Sequence, residues 1–360
     1  MKRETHQYTR AVSPPLKVDR RTQSTRMTDG DSSAARSPLA QSKLEDALAE
    51  ARALASKSRA DSTWAAYASD WRQFEKYCTS LELRALPCST ETLAAFLASQ
   101  AADKKSPSTI QRRLVAIRLV HTSQNFARPD EDSAIAELMA GIRRVWQQPK
   151  KRKAPALADD IIAMADAVEP RSLKGLRDRA LLLFGFAGAF RRSELVAIDI
   201  ADLHYEKSGV RVTIPKSKTD QNAEGHEIAI YAETGSAYCP VQALKDWITV
   251  AEITSGAIFL RMHRHDRLGS AAMTPQSVAL VVKDHAKRVE LEPSHYAGHS
   301  LRRGFLTSAA QEHKNIFKMA EHSRHKSLDV LRQYVEDAQK FDGHAGEGLL
   351  RADDEPETTL

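Results

Sequence analysis

Apolar residues in the first half of the chain recur every three or four positions, as they do along one face of an α-helix. The segments with this pattern are Leu44–Ala55, Trp64–Cys78, Leu93–Leu97, Ile110–His121 and Ile135–Val145. Polar residues separate each segment from the next, and large aromatic side chains mark the second segment. The pattern predicts a compact, all-helical domain over residues 44–148.

The second half of the chain has a mixed pattern. Val210–Ile214 and His226–Ile230 each alternate with period two and flank a polar turn, which predicts a β-hairpin. Ala257–Leu260 predicts one more short strand. The remaining apolar residues have helical spacing. We therefore expect a mainly α fold class, in which a helical domain precedes a mostly helical second domain with a small antiparallel β-sheet.

Polar stretches divide the chain further. Residues 1–43 are rich in Ser, Thr, Arg and Asp, which predicts a disordered N-terminal tail. Residues 149–154 are basic and bounded by prolines, and we interpret them as a linker between the domains. The second domain then covers residues 155–342, and residues 343–360 form a C-terminal tail. The basic run also has the composition of a short nuclear-import signal or of a solvated loop.

Composition changes this picture little. The 360 residues include 53 basic and 47 acidic side chains, for a formal net charge of +6, so only the placement of the charge is informative. The three cysteines, Cys78, Cys88 and Cys239, form no CxxC pair, which is typical of a reducing compartment. No apolar run approaches the roughly 20 residues of a membrane span. We expect a soluble protein of the cytoplasm.

Basic residues followed by a tyrosine form an ordered series in the second domain. Arg191–Leu195 directly follows the apolar segment Leu181–Phe190, and arginines that emerge from such a segment are costly unless they meet an anion. Lys216 and Lys218 fall in the turn of the predicted hairpin. The series continues with His299, Arg302, His325 and Tyr334. Taken singly, each of these residues is more often structural than functional.

The order of the series resembles that of the tyrosine recombinase, or phage integrase, family over residues 44–342. Arg191–Leu195 matches the family's first arginine box, and His299–Arg302 matches its second. His325 lies nine residues before Tyr334, which is the family's spacing between its last His/Trp position and its nucleophile. The resemblance implies the tyrosine recombinase catalytic fold, the simple Cre-type layout of two domains, and a site-specific DNA recombinase.

Within these motifs the resemblance favours particular residues. Arg191 is preferred to Arg192 because it keeps the three-residue step to Glu194. Lys218 is preferred to Lys216 because it lies in Ser-Lys-Thr at the hairpin turn. His325 is likewise preferred to His322, and Arg303 receives no catalytic role although many relatives carry His there.

The resemblance also implies a mechanism without cofactors. The implied roles are nucleophile for Tyr334, phosphate binding for Arg191 and Arg302, general base for His299, general acid for Lys218, phosphate hydrogen bonding for His325, and support of the site for Glu194. A 3′-phosphotyrosyl bond conserves the energy of the broken linkage, so strands can be exchanged through a Holliday junction without ATP. Neither a metal nor another cofactor is expected.

Double-stranded DNA with inverted-repeat recombination sites is the partner that the resemblance implies, bound by a homotetramer on two sites near the nucleoid and away from membranes. The C-terminal tail is a candidate for docking on a neighbouring subunit, and a frayed tail is the alternative. The helical first domain is predicted to clamp DNA with the polar face of its fourth helix and with the linker. The predicted DNA contacts are Ser108, Thr109, Gln111, Arg112, Arg113, Arg118, Lys150, Lys151, Arg152 and Lys153. A solvated basic face is the alternative.

Three other interpretations stay open at this point. A type IB topoisomerase shares the chemistry but relaxes supercoils without exchanging partners. A DNA-binding regulator keeps the fold without catalysis, although the complete set of Arg, Lys, His and Tyr counts against it. His295 with His299, and His322 with His325, have spacings compatible with metal ligation on a helix, but no carboxylate or cysteine flanks them at zinc-like spacing.

Overall fold

The computed structural model describes residues 38–56, 58–146, 153–169, 171–214, 226–325, 327–342, 345–347 and 349. The chain divides into two compact units, Met1–Lys150 and Lys151–Leu360, and the division falls inside the segment predicted as the linker. Predicted residues that lie outside the described ranges are Lys150, Lys151, Arg152, Lys216 and Lys218. Each unit is described by itself below.

Helices alone make up the regular structure in the described part of the first unit. They are α1 (Pro38–Ser56), α2 (Asp61–Ser80), α3 (Thr90–Ala102), α4 (Pro107–Ser123) and α5 (Ser133–Val145). This confirms the predicted all-helical class. The first helix begins at Pro38, inside the segment predicted as a tail. At the start of α4, Ser106 Oγ accepts a hydrogen bond from the Thr109 amide over 3.2 Å, which caps the helix.

The core of the first unit comes from the apolar faces that the sequence pattern predicts. Trp71, Phe74 and Phe96 are buried. The ring centroids of Trp71 and Phe74 lie 5.6 Å apart, and those of Phe74 and Phe96 lie 5.1 Å apart. The buried stripe of α4 consists of Ile110, Leu114, Ile117 and His121. The opposite, polar face of α4 is therefore turned away from this core.

Helices surround two small sheets in the second unit. Its α-helices are α6 (Ala158–Asp166), α7 (Leu173–Ala187), α8 (Arg192–Leu195), α9 (Pro240–Val250), α10 (Pro275–Arg288), α11 (Ser300–Gln311), α12 (Ile316–Ser323) and α13 (Leu328–Ala338). Short 3₁₀ turns cover Ile200–Asp202, Arg264–Asp266 and Pro293–His295. The strands are β1 (Leu203–Glu206), β2 (Gly209–Ile214), β3 (His226–Tyr231), β4 (Leu260–Met262) and β5 (Leu268–Ala272).

The predicted hairpin is confirmed. β2 and β3 pair antiparallel with Ile214 opposite His226, and β1 adds to the free edge of β2. The strand predicted at Ala257–Leu260 is wrong in its bounds, because the strand begins at Leu260 and pairs with β5 in a separate two-stranded sheet. Ala257 forms only an isolated bridge with Asp199.

Two hydrophobic clusters hold the second unit together. The larger one centres on α7, which is buried over most of its length, and includes residues of the sheet and of α9 and α10. A separate, smaller cluster joins α11, α12 and α13. Its buried members are Leu306, Ala310, Met319 and Leu331. The last helix is therefore packed on α11 and α12 through this small cluster.

The chain enters the second unit as a segment bound to the start of α11 and to the 3₁₀ turn before it. The Ala154 amide donates to the His295 carbonyl over 2.8 Å, and the Ala156 amide donates to the Ser300 carbonyl over 3.0 Å. Gly304 permits this approach, because a Cβ at that position would lie 1.6 Å from the Ala156 carbonyl oxygen. Within the described ranges, no helix has the length and apolarity that a membrane crossing requires.

Candidate active site

The first predicted arginine box follows the turn that ends α7. The turn passes through Ala189, whose φ of 44° is uncommon for a residue other than glycine. Arg191 then precedes the single turn of α8, and the Glu194 carboxylate reaches back so that its Oε2 accepts from the Arg191 amide over 2.8 Å. The other carboxylate oxygen, Oε1, pairs with the Arg191 guanidinium. The buried Glu194 carboxylate thus fixes the position of the partly exposed Arg191 side chain.

The second box lies at the start of α11. His299 is the last residue before the helix, and Arg302 lies in its first turn. Arg302 is almost fully buried, with 5% of its surface exposed. Its Nη1 donates to the Ala189 carbonyl over 2.8 Å, and its Nη2 donates to the Ser323 carbonyl. Arg302 therefore connects α11 to the turn before α8 and to the end of α12.

His325 lies between α12 and α13, and it contacts Arg302. Its ring nitrogens are 3.3 and 3.4 Å from Arg302 Nη2, and its Nδ1 shares a hydrogen bond with Ser323 Oγ over 2.7 Å. His322 lies elsewhere, with its Nε2 2.7 Å from a backbone carbonyl oxygen at the end of α7 and its ring stacked on Phe305. The structure brings His325 to Arg302 and leaves His322 outside this contact.

Tyr334 lies on α13, with its ring partly buried against the small hydrophobic cluster. The guanidinium carbon of Arg303 is 6.0 Å from the ring centroid, which is within the range of a cation–π contact. Tyr334 is also close enough to Arg302 to raise the pKa of that arginine. α13 therefore carries the predicted nucleophile within electrostatic range of the second arginine box.

Arg324 is an additional site residue that the sequence pattern did not indicate. It ends α12 with a left-handed φ of 58°, and its side chain is 3% exposed. Its Nη2 donates to Glu194 Oε2 over 2.9 Å, and its guanidinium lies 5.5 Å from the centroid of the Phe190 ring. Glu194 consequently accepts hydrogen bonds from two arginines. No local spacing or motif could have revealed this pairing, because it depends on the tertiary fold.

Positive charge dominates the cluster. Burial alone would raise the pKa of Glu194, but the charges of Arg324 and Arg191 hold it below its usual value, so the acid is ionised. Burial, with the charges of Arg191 and Arg324, lowers the pKa of Arg302 to about 9, which leaves it cationic at neutral pH. Burial and the same arginines, Arg302 included, lower the pKa of His325 to about 4. Arg191 and Arg324 thus pair with one buried carboxylate, and Arg302 adds a third positive charge to the cluster.

His299 lies at the edge of this cluster. The His299 side chain is exposed to solvent. Neighbouring protein atoms nevertheless desolvate its ring enough to lower the pKa, and the charges of Arg192, Arg302 and Arg191 lower this pKa further. The imidazole is therefore neutral at neutral pH and able to accept a proton. Arg192, the alternative to Arg191, lies with its side chain against Gly298.

The arginines predicted to bind DNA through α4 form ion pairs with buried aspartates. Arg112 donates to both carboxylate oxygens of Asp70 over 2.7 and 3.0 Å, and Arg113 lies 3.6 Å from the same acid. Arg118 donates to Asp130 over 2.7 Å. The side chains of Arg112 and Arg118 remain 48% and 40% exposed, whereas that of Arg113 is 13% exposed. Of the other predicted contacts on α4, Ser108 is exposed, and Thr109 and Gln111 are partly exposed.

The remaining predicted residues lie at the edges of the described structure. Lys153 lies at the start of the second unit, where its Nζ donates to the Ser294 carbonyl over 2.5 Å and its own carbonyl accepts from Arg303. Lys218 belongs to the connection between β2 and β3, outside the described residues. Among the residues that the structure describes, no group of three or more His, Cys, Asp or Glu side chains is arranged to hold a metal ion.

Known proteins resemble this chain in sequence. Residues 157–340 match the model of the phage integrase family. The chain is 38% identical over 292 residues to the integrase/recombinase XerD homologue of Selenomonas ruminantium, a match that covers 80% of this chain and 85% of that protein. It is 26% identical over 291 residues to the tyrosine recombinase XerC of Herpetosiphon aurantiacus, covering 76% of this chain and 84% of the relative.

Solved structures share the fold at low sequence identity. The XerH site-specific recombinase bound to palindromic difH substrate in a post-cleavage complex matches with a TM-score of 0.59 and 16% identity, over 83% of this chain and 86% of XerH. The pre-cleavage complex of XerH matches with a TM-score of 0.55. The fold, the ordered site residues and the sequence relatives define an enzyme of the tyrosine recombinase class. The chain belongs to the phage integrase family.

Proposed function

We propose that this recombinase cleaves and rejoins double-stranded DNA through a covalent bond between Tyr334 and a 3′-phosphate. The environment of Arg302 carries the proposal. This arginine is buried, cationic at neutral pH and bonded to the carbonyls of Ala189 and Ser323, and it forms no ion pair with a carboxylate in the described parts of the chain. A buried guanidinium without a counter-ion is costly, and a phosphodiester supplies the missing anion.

The neighbouring residues fit the steps of a phosphoryl transfer. The Tyr334 oxygen attacks the phosphorus while neutral His299 accepts the phenolic proton. Negative charge that develops on the non-bridging oxygens is stabilised by Arg191 and Arg302, each of which donates through a planar fork. Neutral His325 donates a further hydrogen bond to the phosphate. The bond from phosphorus to the 5′ oxygen breaks.

The departing 5′ oxygen needs a proton, and we assign its donation to Lys218 on the β2–β3 connection. A 5′-hydroxyl from another strand then attacks the phosphotyrosyl bond and releases Tyr334. Two such exchanges form and resolve a Holliday junction. The conserved bond energy makes ATP unnecessary, and Arg191 and Arg302 supply the charge stabilisation that a metal would otherwise provide. The structures of XerH, which has the same fold, contain its difH substrate before and after cleavage. This likeness supports DNA as the substrate proposed for this chain.

DNA contact outside the active site is assigned to the polar face of α4 and to the linker. Arg112 and Arg118 expose enough of their side chains to meet a phosphate while their aspartate partners hold them in place. Each phosphate that is neutralised contributes a slope of roughly 0.9 in log affinity against log salt. Arg112→Gln and Arg118→Gln should each flatten the measured salt dependence, whereas an unchanged slope would remove that arginine from the interface.

Assembly into a homotetramer on two DNA sites completes the proposal. The C-terminal segment exposes Phe341 and Leu349, whose surfaces are 82% and 76% exposed. A cavity of about 740 Å³ on the second unit is lined by apolar side chains such as Phe186, Phe305 and Met319 and by charged side chains such as Glu312 and Lys318. We assign this cavity to the tail of a neighbouring subunit. Truncation before Phe341 should leave monomer binding to a half-site intact and abolish tetramers in analytical ultracentrifugation.

The nucleophile is tested with Tyr334→Phe on a nicked suicide substrate, which traps the covalent intermediate. The wild-type enzyme should form a protein–DNA adduct in EDTA, and the variant should bind the same DNA without forming one. Adduct formation by the variant would reassign the nucleophile. Exchange of strands between two sites, measured on the same preparation, separates a recombinase from a type IB topoisomerase, which relaxes supercoils but joins no new partners.

The general acid is tested by sulfur substitution at the 5′ bridging position. A thiolate leaves without protonation, so Lys218→Ala should cleave ordinary DNA about 10²–10⁴-fold more slowly and recover on the 5′-thio substrate. Lys216→Ala serves as the matched control and should be active on both substrates. Sulfur rescue of Lys216→Ala instead would exchange the two roles.

A further inference from the structure

Arg324 bridges the two segments that carry the candidate catalytic residues. From the end of α12 its guanidinium reaches the turn before α8, where Nη2 donates to the Ala189 carbonyl over 3.1 Å and to Glu194 over 2.9 Å. Nη1 donates to the His322 carbonyl over 3.0 Å, within its own turn. His325 follows Arg324 directly in the chain, so this side chain, together with Arg302, ties the Glu194 segment to the His325 segment.

The charges at Glu194 give Arg324 a second effect. The side chains of Glu194 and Arg324 are each 3% exposed, whereas that of Arg191 is 23% exposed. Two arginines therefore share one carboxylate, and the fully buried arginine neutralises the fully buried acid. The charge of Arg191 therefore stays uncompensated at the accessible side of the cluster, where it can bind a phosphate. Without Arg324, Glu194 would neutralise Arg191 alone.

The left-handed backbone of Arg324 is not peculiar to this position. A φ of 58° costs a residue other than glycine of the order of 1 kcal/mol, and similar values occur at Glu82, Lys104 and His313. The Arg324 side chain itself is held by the carbonyls, the carboxylate and the Phe190 ring. Glycine would adopt the same turn without strain, so the backbone alone does not call for an arginine.

We propose that Arg324 is a positioning residue for strand cleavage: it neutralises Glu194 so that Arg191 is free to bind the scissile phosphate, and it fixes His325 against Arg302. The inference rests on the proposed function, since it assigns Arg324 a part in the same reaction. It concerns the rate of cleavage and not the affinity for DNA, because the buried guanidinium does not reach the substrate.

Arg324→Gly and Arg324→Gln test the proposal on the full-length protein with the nicked suicide substrate. Arg324→Gly relieves the backbone strain, so the fold and the turn should persist while the side chain is lost. Misplacement of catalytic groups by about 1 Å costs on the order of 10²-fold in rate. We expect both variants to form the covalent adduct on the order of 10²-fold more slowly, with half-site affinity changed by less than about threefold.

Arg179→Gln is the matched control. Its guanidinium also donates to two backbone carbonyls, those of Ala165 and Ala237. It lies 4.0 Å from the Asp166 carboxylate and 5.6 Å from the centroid of the Tyr238 ring. None of these partners belongs to the candidate site. The control should cleave within about threefold of wild type. Methylguanidinium should restore cleavage by Arg324→Gly, because it can occupy the space of the missing guanidinium, and it should not accelerate the control.

The inference would be overturned if both Arg324 variants cleaved DNA as fast as the control. It would also be overturned if their half-site affinity fell by the same factor as their cleavage rate. Absence of rescue by methylguanidinium, with Arg324→Gly folded by its thermal transition, would also overturn it. If Arg324→Gln fails to fold, the glycine variant alone decides. A wild-type enzyme that forms no adduct would refute the proposed function itself, so the two failures are distinguishable.

Discussion

Leu331 is the main anchor of the helix that carries Tyr334. All residues of α13 are described, and among them Leu331 is the one whose side chain is fully buried. It packs in the small cluster with Leu306, Ala310 and Met319, apart from the larger core around α7. Leu331→Ala should therefore weaken the docking of α13 more than the stability of the unit as a whole.

The expected loss follows from burial. Replacing a buried leucine by alanine costs about 2–5 kcal/mol, depending on how far the site can collapse. Leu331 is 0% exposed, and its neighbours lie on two other helices whose backbones cannot easily close the gap. We expect about 3 kcal/mol, which corresponds to a change on the order of 100-fold in the docking equilibrium.

Hydrogen exchange of the full-length protein, read by mass spectrometry, measures this loss locally. Amides of α13 should exchange on the order of 100-fold faster in Leu331→Ala, while amides of α7 should keep their protection. Cleavage of the suicide substrate should slow to the extent that Tyr334 is undocked. The control is Val330→Ala on the same helix, where the side chain is 48% exposed and the cost should stay below about 0.5 kcal/mol.

Two results would refute this reasoning. Equal acceleration of exchange in α7 and α13 would mean that the small cluster is not an independent unit of stability. Equal effects of Leu331→Ala and Val330→Ala would mean that burial of Leu331 does not anchor the helix.

Two further predictions concern the first unit. Asp70→Asn should lower the free energy of unfolding by about 1–3 kcal/mol in urea titrations, because it removes the charge that holds Arg112; a neutral effect would contradict the ion pair. Neutral His121 accepts the Cys88 amide over 3.0 Å, and burial lowers its pKa from 6.5. Its contribution to stability should thus be complete above pH 6.5 and decrease as the pH falls below it, and His121→Gln should remove this pH dependence.

Features that depend on local periodicity could be predicted from the sequence. The hairpin was predictable because Val212 and Ile214 alternate with polar residues and both are buried on one face. The apolar stripe of α4 was predictable for the same reason. β4 and β5 are only a few residues long, and β5 is mostly Ala, Gly and Ser, so neither offers enough alternation to fix its bounds.

Pairings between distant residues could not be predicted. Glu194 lies 130 positions before Arg324, and Asp70 lies 42 positions before Arg112. A run of basic residues has the same sequence pattern whether its side chains face solvent, DNA or a buried acid. The predicted catalytic series stood out from the sequence because its order and spacing are specific, whereas Arg324 lies at a helix end where only the fold determines what its side chain contacts.

The route by which the chain enters the second unit has a mechanical consequence. Amides of Ala154 and Ala156 are bonded along the start of α11, and Gly304 lets the strand lie directly on the helix that carries Arg302. A pull on residues 153–156 therefore acts directly on the start of the helix that carries Arg302, through two backbone hydrogen bonds and the close contact at Gly304. This short segment is a mechanical link between the first described residues of the second unit and its second predicted arginine box.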